Sequence, residues 1–184
     1  MLPTLFTTEY TSPCGKLILG ECNELLVLCD WTCNPHLQRN VKAVLSHLAT
    51  EQERGQEIKH RSPVLQQAVR MLDLYFSGKL QEFKLPVCPI GTPFQHQVWK
   101  SLLQIPYGHT ASYQDIALKM RKPKGVRAIA QAIGANRLSL FIPCHRIIGS
   151  NGTLTGYAGG TDTKKYLLDL ERKVENISAQ NENR

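Results

Sequence analysis

Residues 143–146 read Pro143-Cys144-His145-Arg146 directly after the apolar run 138–142, which sets a thiol beside an imidazole and a guanidinium. A free thiol has a pKa of about 8.5 and is only slightly ionised at neutral pH, so a cysteine that attacks needs a base or a positive charge at hand. His145 and Arg146 offer one of each. In an extended segment adjacent side chains point to opposite faces, so the pair is expected to communicate through a bend or a bridging water. A buried structural cysteine beside an incidental histidine is the competing reading of these residues taken alone.

The surrounding charge favours chemistry on a polyanion. Residues 1–90 carry nine Lys/Arg against nine Asp/Glu, whereas residues 91–184 carry thirteen against six, so the whole formal net charge of +7 lies in the second half. Lys119, Arg121, Lys122, Lys124, Arg127, Arg137 and Arg146 follow one another with no acidic residue between them. An unbalanced basic stretch next to a nucleophile points to nucleic acid as partner. Cys14, Cys22, Cys29, Cys33 and Cys88 lack paired spacing and are expected as free thiols in a reducing compartment. With no C-x-x-C and no H-x3-H, no metal site is expected. No apolar run approaches the roughly 20 residues of a membrane span, and Met1-Leu2-Pro3-Thr4 does not open a signal peptide, so a cytoplasmic protein without membrane association is expected.

Several elements must position the pair. Alternating residues predict strands over 5–10, 16–20 and 25–31 as an antiparallel meander. Leu37, Val41, Val44, Leu45 and Leu48 recur at helical spacing, and the polar segment 50–61 reads as a loop. Ser62 and Pro63 start a second helix whose stripe is Val64, Leu65, Ala68, Leu72 and Phe76. The proline- and glycine-containing segment 83–91 marks a boundary. Beyond it, Thr92 and Pro93 open a helix carrying Phe94, Val98, Trp99, Leu102 and Leu103, and Ser112-Tyr113-Gln114-Asp115 carries a capping box that opens a short one. A second short helix, about 126–133, follows the turn Arg121-Lys122-Pro123-Lys124-Gly125, giving a helix-turn-helix. Its small residues Ala128, Ala130, Ala132 and Gly134 would let its backbone lie close to another surface, and helix packing explains them equally well. A last helix, about 163–173, has Tyr166, Leu167 and Leu170 as its apolar side, and Glu171 borders that side. A half-buried glutamate needs a partner, and a histidine is a natural one.

Taken together, Ile142-Pro143-Cys144-His145-Arg146-Ile147-Ile148-Gly149, Asn151-Gly152 and Gly156-Tyr157-Ala158-Gly159-Gly160 closely resemble the active-site signature of O6-alkylguanine-DNA alkyltransferases, also called methylated-DNA-protein-cysteine methyltransferases. The resemblance continues upstream through Gly91-Thr92-Pro93-Phe94-Gln95, Val98-Trp99, Ile105-Pro106-Tyr107-Gly108, Ser112-Tyr113 and Ala135-Asn136, and is strong over about 91–172. It implies an α+β chain. Residues 1–90 would form a ribonuclease-H-like domain of antiparallel sheet and helices, residues 91–173 a mainly helical, winged-helix-like domain with the helix-turn-helix, and 174–184 a flexible tail.

The resemblance also implies a function: single-use transfer of a methyl or larger alkyl group from O6-alkylguanine, and from O4-methylthymine, in double-stranded DNA to Cys144. The protein would act as a monomer and without a cofactor. Glu171 would orient His145, which takes the thiol proton through a water; Tyr113 would crowd the phosphate and donate a proton to guanine. Backbone amides around Cys144 and Ala158 would meet the charge on the guanine oxygen. Ala128 and Gln131 would lie in the minor groove with Arg127 as the finger that fills the gap left by the flipped base, while Asn136 would brace the segment before Cys144, with Arg146 and Tyr157 supporting the site. Ala158 stands where some relatives have serine. Three other readings compete: a non-catalytic binder of alkylated DNA that recruits repair factors, in whose relatives the cysteine is replaced; a transcription regulator, whose reading helix would expose more than Arg127 and Gln131 to base edges; and a cysteine hydrolase, which would turn over repeatedly.

Overall fold

Alternating inward and outward side chains build three antiparallel strands, β1 (Thr4–Ser12), β2 (Gly15–Cys22) and β3 (Leu25–Trp31). The second hairpin turns on Asn23 and Glu24, both at positive φ (51° and 63°), the two-residue geometry that matches the natural twist of the strands. The computed structural model describes residues 4–48, 56–59 and 62–182. It divides into two units, Met1–Ile90 and Gly91–Arg184.

In the first unit, α1 (Leu37–Leu48) sends Val41 and Val44 into a core with Leu5, Val27 and Leu28. A buried carboxylate ties its start to β3: Asp30 accepts from the side-chain amides of Asn34 and Asn40 at 2.8–2.9 Å. Part of the segment expected as a loop is instead a strand, β4 (Gln56–Lys59), which pairs parallel to β1 and gives the sheet order β3-β2-β1-β4. An open strand edge presents backbone donors and acceptors that any sequence can pair with, so hydrophobic patterning carried no sign of it. Residues 50–55 and 60–61 of that segment lie outside the described residues. α2 (Pro63–Phe76) starts where Ser62 Oγ accepts from the Leu65 amide. Its buried stripe is Leu65, Ala68, Leu72 and Tyr75; Phe76 is half-buried and packs edge-on against Tyr75.

The second unit opens with α3 (Pro93–Leu102), where Thr92 and Gln95 satisfy each other's backbone amides in a capping box. The short α4 (Tyr113–Lys119) is capped the same way by Ser112 and Asp115. After a turn in which Arg121 takes φ 56°, α5 (Val126–Gly134) packs on α3, and Trp99 Nε1 donates to the Ala132 carbonyl at 2.8 Å. A two-residue parallel pair, β5 (Ala111–Ser112) with β6 (Ile147–Ile148), joins the start of α4 to the segment after Arg146. The last helix, α6 (Thr161–Glu182), continues well past Lys173 into the stretch expected as a tail. Among the described residues no helix is long and apolar enough to cross a membrane.

Candidate active site

The approach to Cys144 is a tight, buried path. Leu138 donates its amide to Asn136 Oδ1, Ile142 closes a turn onto the Leu138 carbonyl, and Leu140 between them holds φ 72° at 2% exposure. A bulky residue in the left-handed region carries strain of order 1–3 kcal/mol, which the packed surroundings must hold. The chain then makes one turn of 3-10 helix, Cys144–Arg146. This is the bend that the sequence offered alongside a bridging water. Tight winding turns Cys144 toward Asn136, while His145 and Arg146 both reach Glu171.

Cys144 is 8% exposed, and its sulfur accepts from Asn136 Nδ2 at 3.2 Å. The same Nδ2 donates to the Ile142 carbonyl at 3.0 Å, so Asn136 both closes the turn and touches the sulfur. The Cys144 amide donates to the Ile142 carbonyl at 2.8 Å. That donor is engaged within the turn.

His145 is fully buried, with Nε2 2.8 Å from Glu171 Oε1. Glu171, also fully buried, accepts in addition from Arg146 Nε at 2.9 Å, Arg146 Nη2 at 3.0 Å and the Gly108 amide at 3.0 Å. Burial pushes this carboxyl up, but the hydrogen bonds from His145 and Arg146 and the Arg146 charge oppose it, and the pKa lies at about 2. Burial likewise presses His145 below its ordinary value, with the Glu171 hydrogen bond opposing. At neutral pH the pair is thus a carboxylate and a neutral imidazole. An ionised carboxylate requires the proton on Nε2, which leaves the lone pair on Nδ1, an atom that makes no hydrogen bond among the described residues. Tyr157 packs edge-on against the ring with centroids 6.4 Å apart.

Arg146, part of the basic stretch and expected to support the site, is 8% exposed and engaged: besides Glu171 it donates from Nη1 to the Ile105 carbonyl at 2.7 Å and lies over the Tyr107 ring. A guanidinium beside a carboxylate is drawn inward by the ion pair that offsets its desolvation. Within the basic stretch, Lys119, Arg121, Lys122, Lys124 and Arg127 are exposed. On α5, Arg127, Ala128, Gln131 and Gly134 form the exposed face, whereas Ala132 is buried beneath Trp99. The small-residue run is therefore divided between an outer face and helix packing.

Sequence reasoning missed Lys164. It is 1% exposed, donates to the Thr155 carbonyl at 2.7 Å, and burial depresses its pKa while nearby Cys144 opposes that shift. The inward face of α6 is Thr163, Lys164, Leu167, Leu168 and Glu171; of the expected apolar side Leu167 lies on it and Leu170 is half-buried, but Tyr166 is 38% exposed. The polar residues ride on the buried face because the ion network lies there. The signal was present in the spacing: Lys164 precedes Glu171 by two helical turns and shares its face. Thr155 was also missed; its hydroxyl donates to Tyr113 Oη at 3.3 Å. Tyr113 itself is half-exposed on the first turn of α4, and the β5–β6 pair fixes that turn beside residues 147–148.

With this geometry in view, the comparisons with known proteins agree with one another. The family model described as 6-O-methylguanine DNA methyltransferase, DNA binding domain, matches residues 93–173, and that of the ribonuclease-like domain of the same proteins matches 5–89. The chain belongs to the 6-O-methylguanine DNA methyltransferase family. A methylated-DNA–protein-cysteine methyltransferase of Haemophilus influenzae is 36% identical over 93% of this chain and 88% of that protein. One of Methanosarcina barkeri is 52% identical over 57% of this chain and 66% of that protein. Among solved structures, Mycobacterium tuberculosis OGT in complex with DNA superposes with a TM-score of 0.75 at 34% identity, covering 93% of this chain and 94% of that one.

Proposed function

We propose that this protein repairs alkylated DNA by direct reversal, moving the alkyl group of O6-alkylguanine, and of O4-methylthymine, irreversibly to the sulfur of its own Cys144. The observation that carries this reading is the single buried turn in which Asn136 touches the Cys144 sulfur while the next residue, His145, is bonded to an ionised Glu171.

Double-stranded DNA binds along the exposed face of α5. Lys119, Arg121, Lys122 and Lys124 neutralise phosphates, Ala128 and Gln131 lie in the minor groove, and Arg127 fills the space of the extruded base. Flipping costs a few kcal/mol, and less for a poorly paired alkylated base, which itself favours damaged sites. With the lesion seated, His145 Nδ1 takes the thiol proton through a water, and Glu171 stabilises the imidazolium that results. Asn136 Nδ2–H and the Lys164 ammonium stabilise the thiolate. The sulfur attacks the alkyl carbon, the carbon–O6 bond breaks, and the electron pair left on the base is met by a proton from Tyr113 and by the Ala158 amide. A thioether is a poor leaving group, so each molecule acts once. The protein works as a monomer in the cytoplasm and draws on no cofactor.

The test is stoichiometry. An oligonucleotide duplex carrying labelled O6-methylguanine is expected to transfer label to Cys144 up to one per molecule, and Cys144→Ala is expected to bind the duplex and accept nothing. Repeated release of label would make the protein a hydrolase; binding with no transfer by the wild-type chain would make it a non-catalytic binder of lesions.

A further inference from the structure

Thr155 lies in the loop between the 3-10 turn and α6, and two of its atoms are held from different sides. Its hydroxyl donates to Tyr113 Oη at 3.3 Å, and its carbonyl accepts from Lys164 Nζ at 2.7 Å. Lys164 is rooted in the buried face of α6 and is coupled electrostatically to Cys144. One threonine therefore spans from the phenol on α4 to the buried cation on α6.

We propose that Thr155 is the positioning residue for the proton donor: by donating to Tyr113 Oη it directs the phenol's own hydrogen away from the loop and toward the departing base. A phenol has one hydrogen to give and lone pairs that accept. Once a lone pair is occupied by the threonine hydrogen, the O–H is left to point elsewhere, and accepting a bond polarises it into a better donor. The bond is long and exposed, so alone it would hold little; the short charge-assisted bond from Lys164 keeps the Thr155 backbone in place beneath it. In the transfer itself the S–C bond forms as the C–O6 bond breaks. The thiol's proton leaves through His145, Tyr113 gives its proton to the base, and the phenolate recovers one from water.

The inference rests on the proposed role of Tyr113. Its test uses the full chain and an O6-methylguanine duplex in single-turnover experiments that separate duplex affinity from the rate of transfer. Thr155→Val removes the hydroxyl at nearly constant shape and is expected to slow transfer about fivefold, the worth of one modest hydrogen bond, with duplex affinity unchanged. Thr155→Ser is expected to restore the rate. In a Tyr113→Phe background Thr155→Val is expected to do nothing further, because a residue acting through the phenol loses its effect when the phenol is gone. A Thr155→Val rate equal to wild type, an equal loss in both backgrounds, or a loss that lies wholly in duplex affinity overturns the proposal. If the wild-type chain carries label on Cys144 and any of these is seen, the bridge alone fails; if it carries none, the proposed function fails with it.

Discussion

Arg146 and Glu171 meet as two parallel forks, Nε to Oε2 at 2.9 Å and Nη2 to Oε1 at 3.0 Å, with the carboxylate wholly buried. A bidentate pair of this kind fixes direction as well as charge. It holds Glu171 ionised for His145 and, through Arg146 Nη1 on the Ile105 carbonyl, ties the 3-10 turn to the loop before α4.

Removing one member of a buried pair leaves the other charge stranded, so Arg146→Ala is expected to lower unfolding stability by about 3–5 kcal/mol. Arg146→Lys keeps the charge but not the planar fork and is expected to restore only part of it. Denaturant titration of the three proteins measures this; full recovery in the lysine variant would show that the fork geometry is unimportant.

Acid should destabilise the protein in two stages. His145 is held below its ordinary value, so the unfolded chain takes up a proton that the folded one refuses, and stability declines as pH drops below about 6.5. Glu171 titrates near 2 when folded and near 4.5 when unfolded, so the stability it contributes, about 3 kcal/mol, is present above about 4.5 and is lost as pH falls toward 2. Melting temperatures across this range, compared with Glu171→Gln, should show a shallower acid slope in the variant.

Asn136→Ala removes the hydrogen bond to the Cys144 sulfur and the brace on the Ile142 carbonyl. Loss of a donor to a thiolate is expected to slow alkyl transfer about tenfold and to move the pH dependence of Cys144 alkylation by a small electrophile to higher pH. Peptide-resolved mass spectrometry reads both without interference from the other cysteines. An unmoved pH profile would restrict Asn136 to a structural role.

Arg127→Ala is expected to weaken repair of a fully paired duplex about tenfold, and to matter less where the lesion faces a mismatch and is already poorly paired. If Lys122 contacts a phosphate, Lys122→Ala lowers affinity without regard to sequence and reduces the slope of log affinity against log salt by about 1. Equal effects of Arg127→Ala on paired and mismatched lesions would argue against insertion into the stack.

Gly108 has φ 76°, and a Cβ there would run into the Glu175 carboxylate. Its amide also serves Glu171. Gly108→Ala is expected to destabilise the protein by about 1–3 kcal/mol and to slow transfer through displacement of the carboxylate. A variant with unchanged melting temperature would contradict this reading.

Much of this architecture was legible because it is local. Ser62, Thr92 and Ser112 announce their helices through side chains that bond backbone a few residues away, and the caps form as expected. The edge strand β4 was not legible, since a polar segment recruited by backbone pairing leaves no periodic trace. On α6, Leu167 and the Glu171–His145 pairing were legible, but Tyr166 read as apolar side and is 38% exposed, while Lys164 takes the buried face because the Thr155 carbonyl waits there.

From the chain of residues alone came the thiol–imidazole pair, the basic second half, the helix-turn-helix and the order of motifs that marks the family, all features carried by identity and short-range spacing. Only the folded chain decided that Arg146 turns inward to Glu171, that Asn136 reaches the sulfur, and that Lys164 and Tyr113 meet at Thr155. Those contacts join residues far apart in sequence. Which of several polar side chains becomes the partner of a buried charge depends on where packing brings their elements together, and no local pattern encodes that.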